Sequence, residues 1–257
     1  DSLVRNSTEE TFRRYRTSVV YAADGSVISR LNDQGASYYL KRDEIPQPVI
    51  DAVVCMEDQR FYQHRGVDFR ALVRAAKSLL ENRKITQGGS TITMQLARNV
   101  FLTQEKTWQR KVEEIFIAQN LEKKYTKDQI LEFYLNNIYY GNGYYGIGAA
   151  GRGYFDSEVG DLDLSQIAFL CAIPNNPTVY DPVTHMDHAI ERRDRILGKM
   201  RDDGKITQMA YAAAVAENIT LKRPEAMEKN NYVETYAYYC ATRALMEQAG
   251  FVFQYQF

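Results

Sequence analysis

From about residue 46 to residue 216, apolar side chains recur at helical spacing in one segment after another, and that pattern predicts a mainly α fold. The exception comes first: TSVVYAADGSVISRL reads as two short strands joined at Asp24-Gly25, a dipeptide suited to a tight hairpin turn. Val49, Ile50, Val53, Val54 and Met56 then predict a helix over residues 46–57 that ends at Glu57. A carboxylate placed where helix meets loop suits a group exposed into a cleft.

A second helix is predicted over about 68–81, and a third from Ser90 through STITMQLARN, after the polar stretch NRKITQGG. The next, about 107–124, places Val112, Ile115 and Phe116 on an apolar stripe and Arg110 and Glu114 one turn apart. Thr126 and Gln129 form a capping box for a helix through Leu131, Phe133, Tyr134 and Leu135 that stops near NNIYYGNGYYGIG. Glycines 141, 143, 146 and 148 lack the GK[ST] of a phosphate loop, and the tyrosines between them favour a tightly packed structural turn. Helices at about 163–172, 187–202 and 207–216 follow, with Pro174 and Pro177 bounding the turn after the first. The last segment, about 232–257, is dense in aromatics.

The 257 residues, 45% hydrophobic and 25% charged, suffice for one main domain with a full core plus an appendage. A net charge of −1, from 32 basic and 33 acidic residues, draws the chain to no nucleic acid, so anion recognition must be local. Cys55, Cys171 and Cys240 are few and far apart, and the first two lie in apolar runs, so they read as small buried hydrophobes. His64, His185 and His188 lack metal-ligand spacing. No apolar run of about 18 residues appears and residue 1 is not methionine, so the expectation is a chain from which a flanking membrane anchor has been cut away.

Two acids sit in strings that read as a site: Glu57, opening EDQRFYQHRG, and Glu114, closing RKVEE, with GGSTITMQLARN between them. A carboxylate can deprotonate a sugar hydroxyl, while serine, glutamine, arginine and lysine can hold the phosphates of an anionic leaving group. Local chemistry leaves alternatives open. The two glycines before Ser90 fit an anion site at a helix N-terminus and equally a plain capped start. Arg110 and Glu114 fit a surface ion pair contributing about 0.3–0.5 kcal/mol. Glu57 alone would be an exposed acid at the unfavourable end of a helix dipole.

Taken in order, EDQRFYQHRG, GGSTITMQLARN, RKVEE, YLNNIYYGNGYYGIGAA and AFLCAIPNNP resemble the five motifs of the peptidoglycan glycosyltransferase (transglycosylase, glycosyltransferase family 51) domain of class A bifunctional penicillin-binding proteins. The resemblance runs from about Thr17 to about Pro224. It implies a lysozyme-like, two-lobed helical domain with a small N-terminal β-hairpin. Residues 1–45 would be the hairpin and linker segment, 46–225 the glycosyltransferase domain with a membrane-facing jaw around 68–90, and 226–257 a linker toward a missing transpeptidase domain. No serine stands three residues before a lysine and no KTG follows, so no β-lactam acylation by this chain is expected.

The implied reaction is polymerisation of lipid II into β-1,4-linked glycan strands, with inversion and release of polyprenyl pyrophosphate. By motif position Glu57 corresponds to the general base and Glu114 to the second catalytic acid. Ser90, Gln95, Arg98, Lys106 and Arg110 correspond to groups on the pyrophosphate, and Asp58 to a residue orienting its neighbours beside the base. Glu114 would order the basic cluster or a divalent cation (Mg or Mn), with no residue firmly assigned to metal and no organic cofactor. Arg98 stands where many members carry lysine, Glu113 where lysine is frequent and Met94 where glutamine is common; the second change removes a cation near the leaving group. Implied partners are the growing glycan chain, the membrane surface at its extracytoplasmic face, the missing transpeptidase domain and other cell-wall synthesis proteins. FRALVRAAKSLLENRK fits an interfacial helix as well as one packed on the core.

Two rival classes share parts of this pattern. A lysozyme-like hydrolase also uses two carboxylates, but its neutral leaving group gains little from a basic cluster. A non-catalytic glycan-binding module should have lost a key side chain, whereas Glu57, Ser90, Gln95, Arg110 and Glu114 are all present.

Overall fold

A computed structural model describes residues 2–13, 18–21, 27–31, 38–82, 89–102 and 107–222. The turn at Asp24-Gly25, Lys106, Cys240 and the aromatic segment 232–257 lie outside the described residues. Helix α1 (Ser2–Asn6) and a 3-10 turn (Glu9–Phe12) precede strands β1 (Ser18–Tyr21) and β2 (Val27–Leu31), which pair antiparallel with Ser18 opposite Leu31. Everything else of regular structure in the described residues is helical: α2 (Gln47–Glu57), α3 (Phe69–Asn82), α4 (Ile92–Phe101), α5 (Trp108–Lys124), α6 (Lys127–Asn137), α7 (Ile147–Phe155), α8 (Leu164–Ala172), α9 (Met186–Asp202) and α10 (Gln208–Ala216), with short 3-10 turns between them.

Helix α2 opens after Pro46, with Pro48 in the first turn, where a missing N–H costs no hydrogen bond. Val49, Ile50, Ala52, Val53, Val54 and Cys55 are all buried, so α2 is enclosed by its neighbours and packs on α8 and α9. Helix α4 lies against α5 and α6. The Thr126–Gln129 capping box starts α6, whose residues Ile130 to Asn137 are all buried. Phe12 from the N-terminal segment stacks on Phe133 at 4.0 Å between centroids and meets Phe101 and Tyr125 edge-on. Side-chain amides on α6 hold that segment in place: Asn137 donates to the Phe12 carbonyl, and Asn136 both accepts from and donates to the backbone of Leu40.

The structure differs from the sequence expectation at two helices. Residues 147–155 form α7 although glycines at 148, 151 and 153 weaken helix propensity. Packing overrides propensity here, because a Cβ at 148 would lie 2.3 Å from the Tyr38 carbonyl oxygen and one at 153 would lie 2.1 Å from the Tyr144 ring. On α5 the expected apolar stripe is reversed: Val112 and Phe116 are exposed and Ile115 is half-buried, while Glu114, Ile117, Ala118 and Leu121 are buried. A carboxylate takes an inward position on this helix because cations on the preceding turn meet it there.

The glycine-rich stretch after α6 is a structural turn. The Tyr139–Tyr145 bridge closes it, Gly146 N–H donates to the Ile138 carbonyl, and Gly143 and Gly146 both have φ of +83°. A Cβ at 146 would also sit 2.8 Å from the Asn136 carbonyl oxygen, whereas one at 143 would meet nothing within 4 Å. Gly143→Ala is therefore expected to cost on the order of 1–2 kcal/mol for the left-handed backbone alone, and Gly146→Ala clearly more. Thermal unfolding midpoints of the two variants rank them, and equal shifts would refute the close approach at 146.

Candidate active site

A cleft of about 690 Å³ opens where α2 ends, bounded by α4 and α9. Glu57 and Asp58 enter it from the end of α2, Ser90, Gln95 and Arg98 from the start and inner face of α4, and Arg192 from α9. Its charge is lopsided: Arg60, Arg74, Arg98, Arg192, Arg195 and Lys199 line it, against the acids Glu57, Asp58 and Asp68. A chain of near-zero net charge thus concentrates cations locally, which suits an anionic ligand.

Glu57 closes α2, and each of its oxygens is held. Gln95 Nε2 donates to Oε2 at 3.1 Å and Arg192 Nη2 donates to Oε1 at 3.1 Å. The orientation of the Gln95 amide is set from behind by Tyr134, whose hydroxyl donates to Gln95 Oε1 at 3.1 Å. Burial pushes that phenol well above the usual tyrosine range, so it remains a donor and the amide nitrogen is turned toward Glu57. Gln95, expected on phosphates, therefore binds Glu57 here.

Asp58 is buried and accepts from His64 Nε2 at 2.9 Å and from the Ile92 backbone N–H at 3.1 Å. A carboxylate accepts, so His64 carries its proton on Nε2. Thr91 caps α4, accepting from Met94 N–H, while its hydroxyl donates to the Gly66 carbonyl. The capped start is what forms at this helix end, since Asp58 and Thr91 take the Ile92 and Met94 amides.

Glu114 is 1% exposed, which removes the surface ion pair as a description of it. Arg110 Nη1 bonds one oxygen, and Lys111 Nζ donates to the other at 2.6 Å and to Ser90 Oγ at 2.7 Å. Ser90, Lys111, Glu114 and Arg110 thus form one connected cluster that reaches the cleft through Ser90. In this arrangement both Glu114 oxygens face cations, Arg110 on one and Lys111 on the other. No group of three or more His, Cys, Asp or Glu side chains with metal-site geometry occurs among the described residues.

Two side chains in this arrangement carried no site signal in the sequence. Lys111 sits beside Arg110 in RKVEE, and i,i+3 and i,i+4 spacing to Glu114 do not reveal that both cations engage it. Arg192 is 135 residues from Glu57 in the sequence, inside IERRDRILGKM, which reads as an ordinary amphipathic helix.

The transglycosylase family model matches residues 24–201 of this chain. Penicillin-binding protein 4 of Bacillus subtilis is 40% identical over 92% of this chain and 38% of its own length. Penicillin-binding protein 1F of the same organism is 45% identical over 79% of this chain and 29% of its own length. Penicillin-binding protein 1A of Escherichia coli is 42% identical over 78% of this chain and 23% of its own length. A crystal structure of penicillin-binding protein 1A from Haemophilus influenzae superposes on 92% of this chain and 25% of that one with a TM-score of 0.50, at 20% identity, and shares the fold. This chain, which spans between 23 and 38% of the length of these curated relatives, belongs to the transglycosylase family.

Among the described residues the free cysteines Cys55 and Cys171 are buried among hydrophobes. Burial pushes each thiol up to about 12. At about pH 8 the thiolate is a minute fraction of either. Neither is expected to alkylate with iodoacetamide in the folded chain, and both should do so in denaturant; mass spectrometry of the two states decides it, with fast labelling of native Cys55 or Cys171 counting against the burial.

Proposed function

We propose that this chain is a peptidoglycan glycosyltransferase that polymerises lipid II into β-1,4-linked glycan, with Glu57 as general base. The observation that carries the reading is the pairing of a fixed carboxylate with a cation-rich wall in one cleft. The acceptor's sugar 4-hydroxyl gives its proton to a Glu57 oxygen while its own oxygen bonds to the anomeric carbon of the growing chain. The bond from that carbon to the pyrophosphate oxygen breaks on the opposite face, so configuration inverts and the electron pair leaves with polyprenyl pyrophosphate.

Gln95 and Arg192 each occupy one lone pair of Glu57 and leave others free to accept the proton. Charge growing on the leaving phosphates is met by groups already in place, which lowers the barrier without reorganisation. Arg98, Arg110 and Lys111 supply positive charge and Ser90 a hydroxyl donor; Lys106, which lies outside the described residues, is proposed as a further cation. Glu114 keeps Arg110 and Lys111 from repelling one another apart. A hydrolase with a neutral leaving group has no use for such a wall.

Membrane contact follows from the lipid on the substrate. Phe69 and Val73 on α3 and Trp108, Val112 and Phe116 on α5 are exposed large apolar side chains, and Leu72 and Ile115 pack those two helices against a shared small cluster. No helix among the described residues is long and apolar enough to cross a membrane. We place the chain at the extracytoplasmic face of the cell membrane, residues 46–225 as the catalytic unit, and 226–257 leading toward a transpeptidase domain. Trp108→Ser with Phe116→Ser is expected to reduce co-sedimentation with anionic vesicles without changing the melting temperature; unchanged sedimentation would move the contact elsewhere.

Labelled lipid II in detergent tests the reaction. Wild type should yield polymer, and Glu57→Gln should lower the rate by roughly 10²–10⁴-fold while still binding lipid II. Full activity in the variant would remove Glu57 as base, and release of free disaccharide in place of polymer would mark a hydrolase.

A further inference from the structure

A general base must be held so that a lone pair stays on the acceptor oxygen, and a glutamate beside a wall of cations is drawn away from that position unless something fixes it. We propose that Arg192 is the positioning residue for Glu57, a role that rests on the reading of Glu57 as the base. Arg192 is 5% exposed, and its guanidinium lies 5.1 Å from the centroid of the Tyr180 ring. Among the described residues its one hydrogen bond is the 3.1 Å contact from Nη2 to Glu57 Oε1, and its Nε is buried without a partner.

That is an unusual way to bury an arginine. The adjacent Arg193, 2% exposed, spends its donors on Ser165 Oγ and on the carbonyls of Glu217 and Val215, riveting α8 to the end of α10. A side chain buried to stabilise the fold is satisfied in that manner. Arg192 leaves donors unused and aims its charge at one carboxylate. The other cations that α9 brings to the cleft are committed elsewhere: Arg195 pairs with Glu191 and Lys199 with Asp203.

Geometry then divides the labour at Glu57. Gln95 on α4 holds one oxygen and Arg192 on α9 the other, so the carboxylate is clamped between the two walls of the cleft. The clamp also resets the base. When Glu57 takes the proton of the acceptor hydroxyl, the Arg192 cation loses its counter-charge in a buried position, and transfer of that proton to solvent restores the pair before the next addition. Arg192 itself neither gains nor loses a proton.

The test is steady-state polymerisation of lipid II by Arg192→Ala, Arg192→Lys and Glu57→Gln, each with and without added guanidinium chloride at non-denaturing concentration. Arg192→Ala is expected to lower kcat about 10²-fold with KM changed less than about twofold, because misplacing a reacting group costs rate more than binding. Guanidinium should restore part of the lost kcat, and lysine should retain more activity than alanine. Wild-type kcat in Arg192→Ala, or a raised KM at unchanged kcat, would overturn the proposal and make Arg192 structural or a substrate contact. Activity in Glu57→Gln would instead defeat the reading of the base, and guanidinium must not rescue that variant. Should Arg192→Ala fail to fold, Tyr180→Leu, which removes the ring beside the guanidinium and keeps the charge, should still lower kcat; unchanged turnover there overturns the proposal as well.

Discussion

The buried carboxylate of Asp58 is where three separate pieces of chain are tied together. It lies one residue past α2, accepts the Ile92 amide at the start of α4, and accepts from His64 in the loop between α2 and α3. Burying an ion is costly unless its lone pairs are filled, so the stretches that fill them have little freedom to part. The cleft residues that α2 and α4 contribute inherit their place from that junction, while α9 brings Arg192 from the other side. Glu57 precedes Asp58, Ser90 and Thr91 precede Ile92, and Gln95 and Arg98 follow it along one helix.

The same economy governs the second acid. Glu114 is buried on the inner face of α5, a position its helix would normally fill with an apolar residue, and Val112 and Phe116 are left outside. The exchange is tolerable because Arg110 and Lys111, one turn earlier, neutralise it, and Lys111 at the same time donates to Ser90. The price of a buried charge is thus met within a single helical turn, and the cations so ordered are presented to the cleft.

What the sequence could reveal follows from which interactions are local. Helical spacing placed Glu57 at the end of α2, and the capping box at Thr126 and Gln129 marked the start of α6, because each depends on residues a few positions apart. Helix α7 was hidden by its own glycines, whose reason lies in Tyr38 and Tyr144 approaching from other segments. Periodicity misses the inward face of α5 because it ranks residues by polarity and does not register a carboxylate neutralised from the preceding turn. Arg192 was invisible for a simpler reason: a buried arginine looks like an exposed one until Glu57 and Tyr180 arrive beside it. Motif order supplied the family, but not which side chains face one another within it.

Gln95 gives the cleft a direction. Tyr134 donates to one end of its amide and Glu57 accepts from the other, so the side chain works as a one-way relay whose two ends are chemically opposite. A glutamate of the same length would set acceptor against acceptor at Glu57, and a methionine of similar shape would leave both neighbours unanswered. Position 95 is therefore constrained by polarity along its own axis rather than by size, and the tyrosine behind it is as much a determinant of that residue's identity as the acid in front.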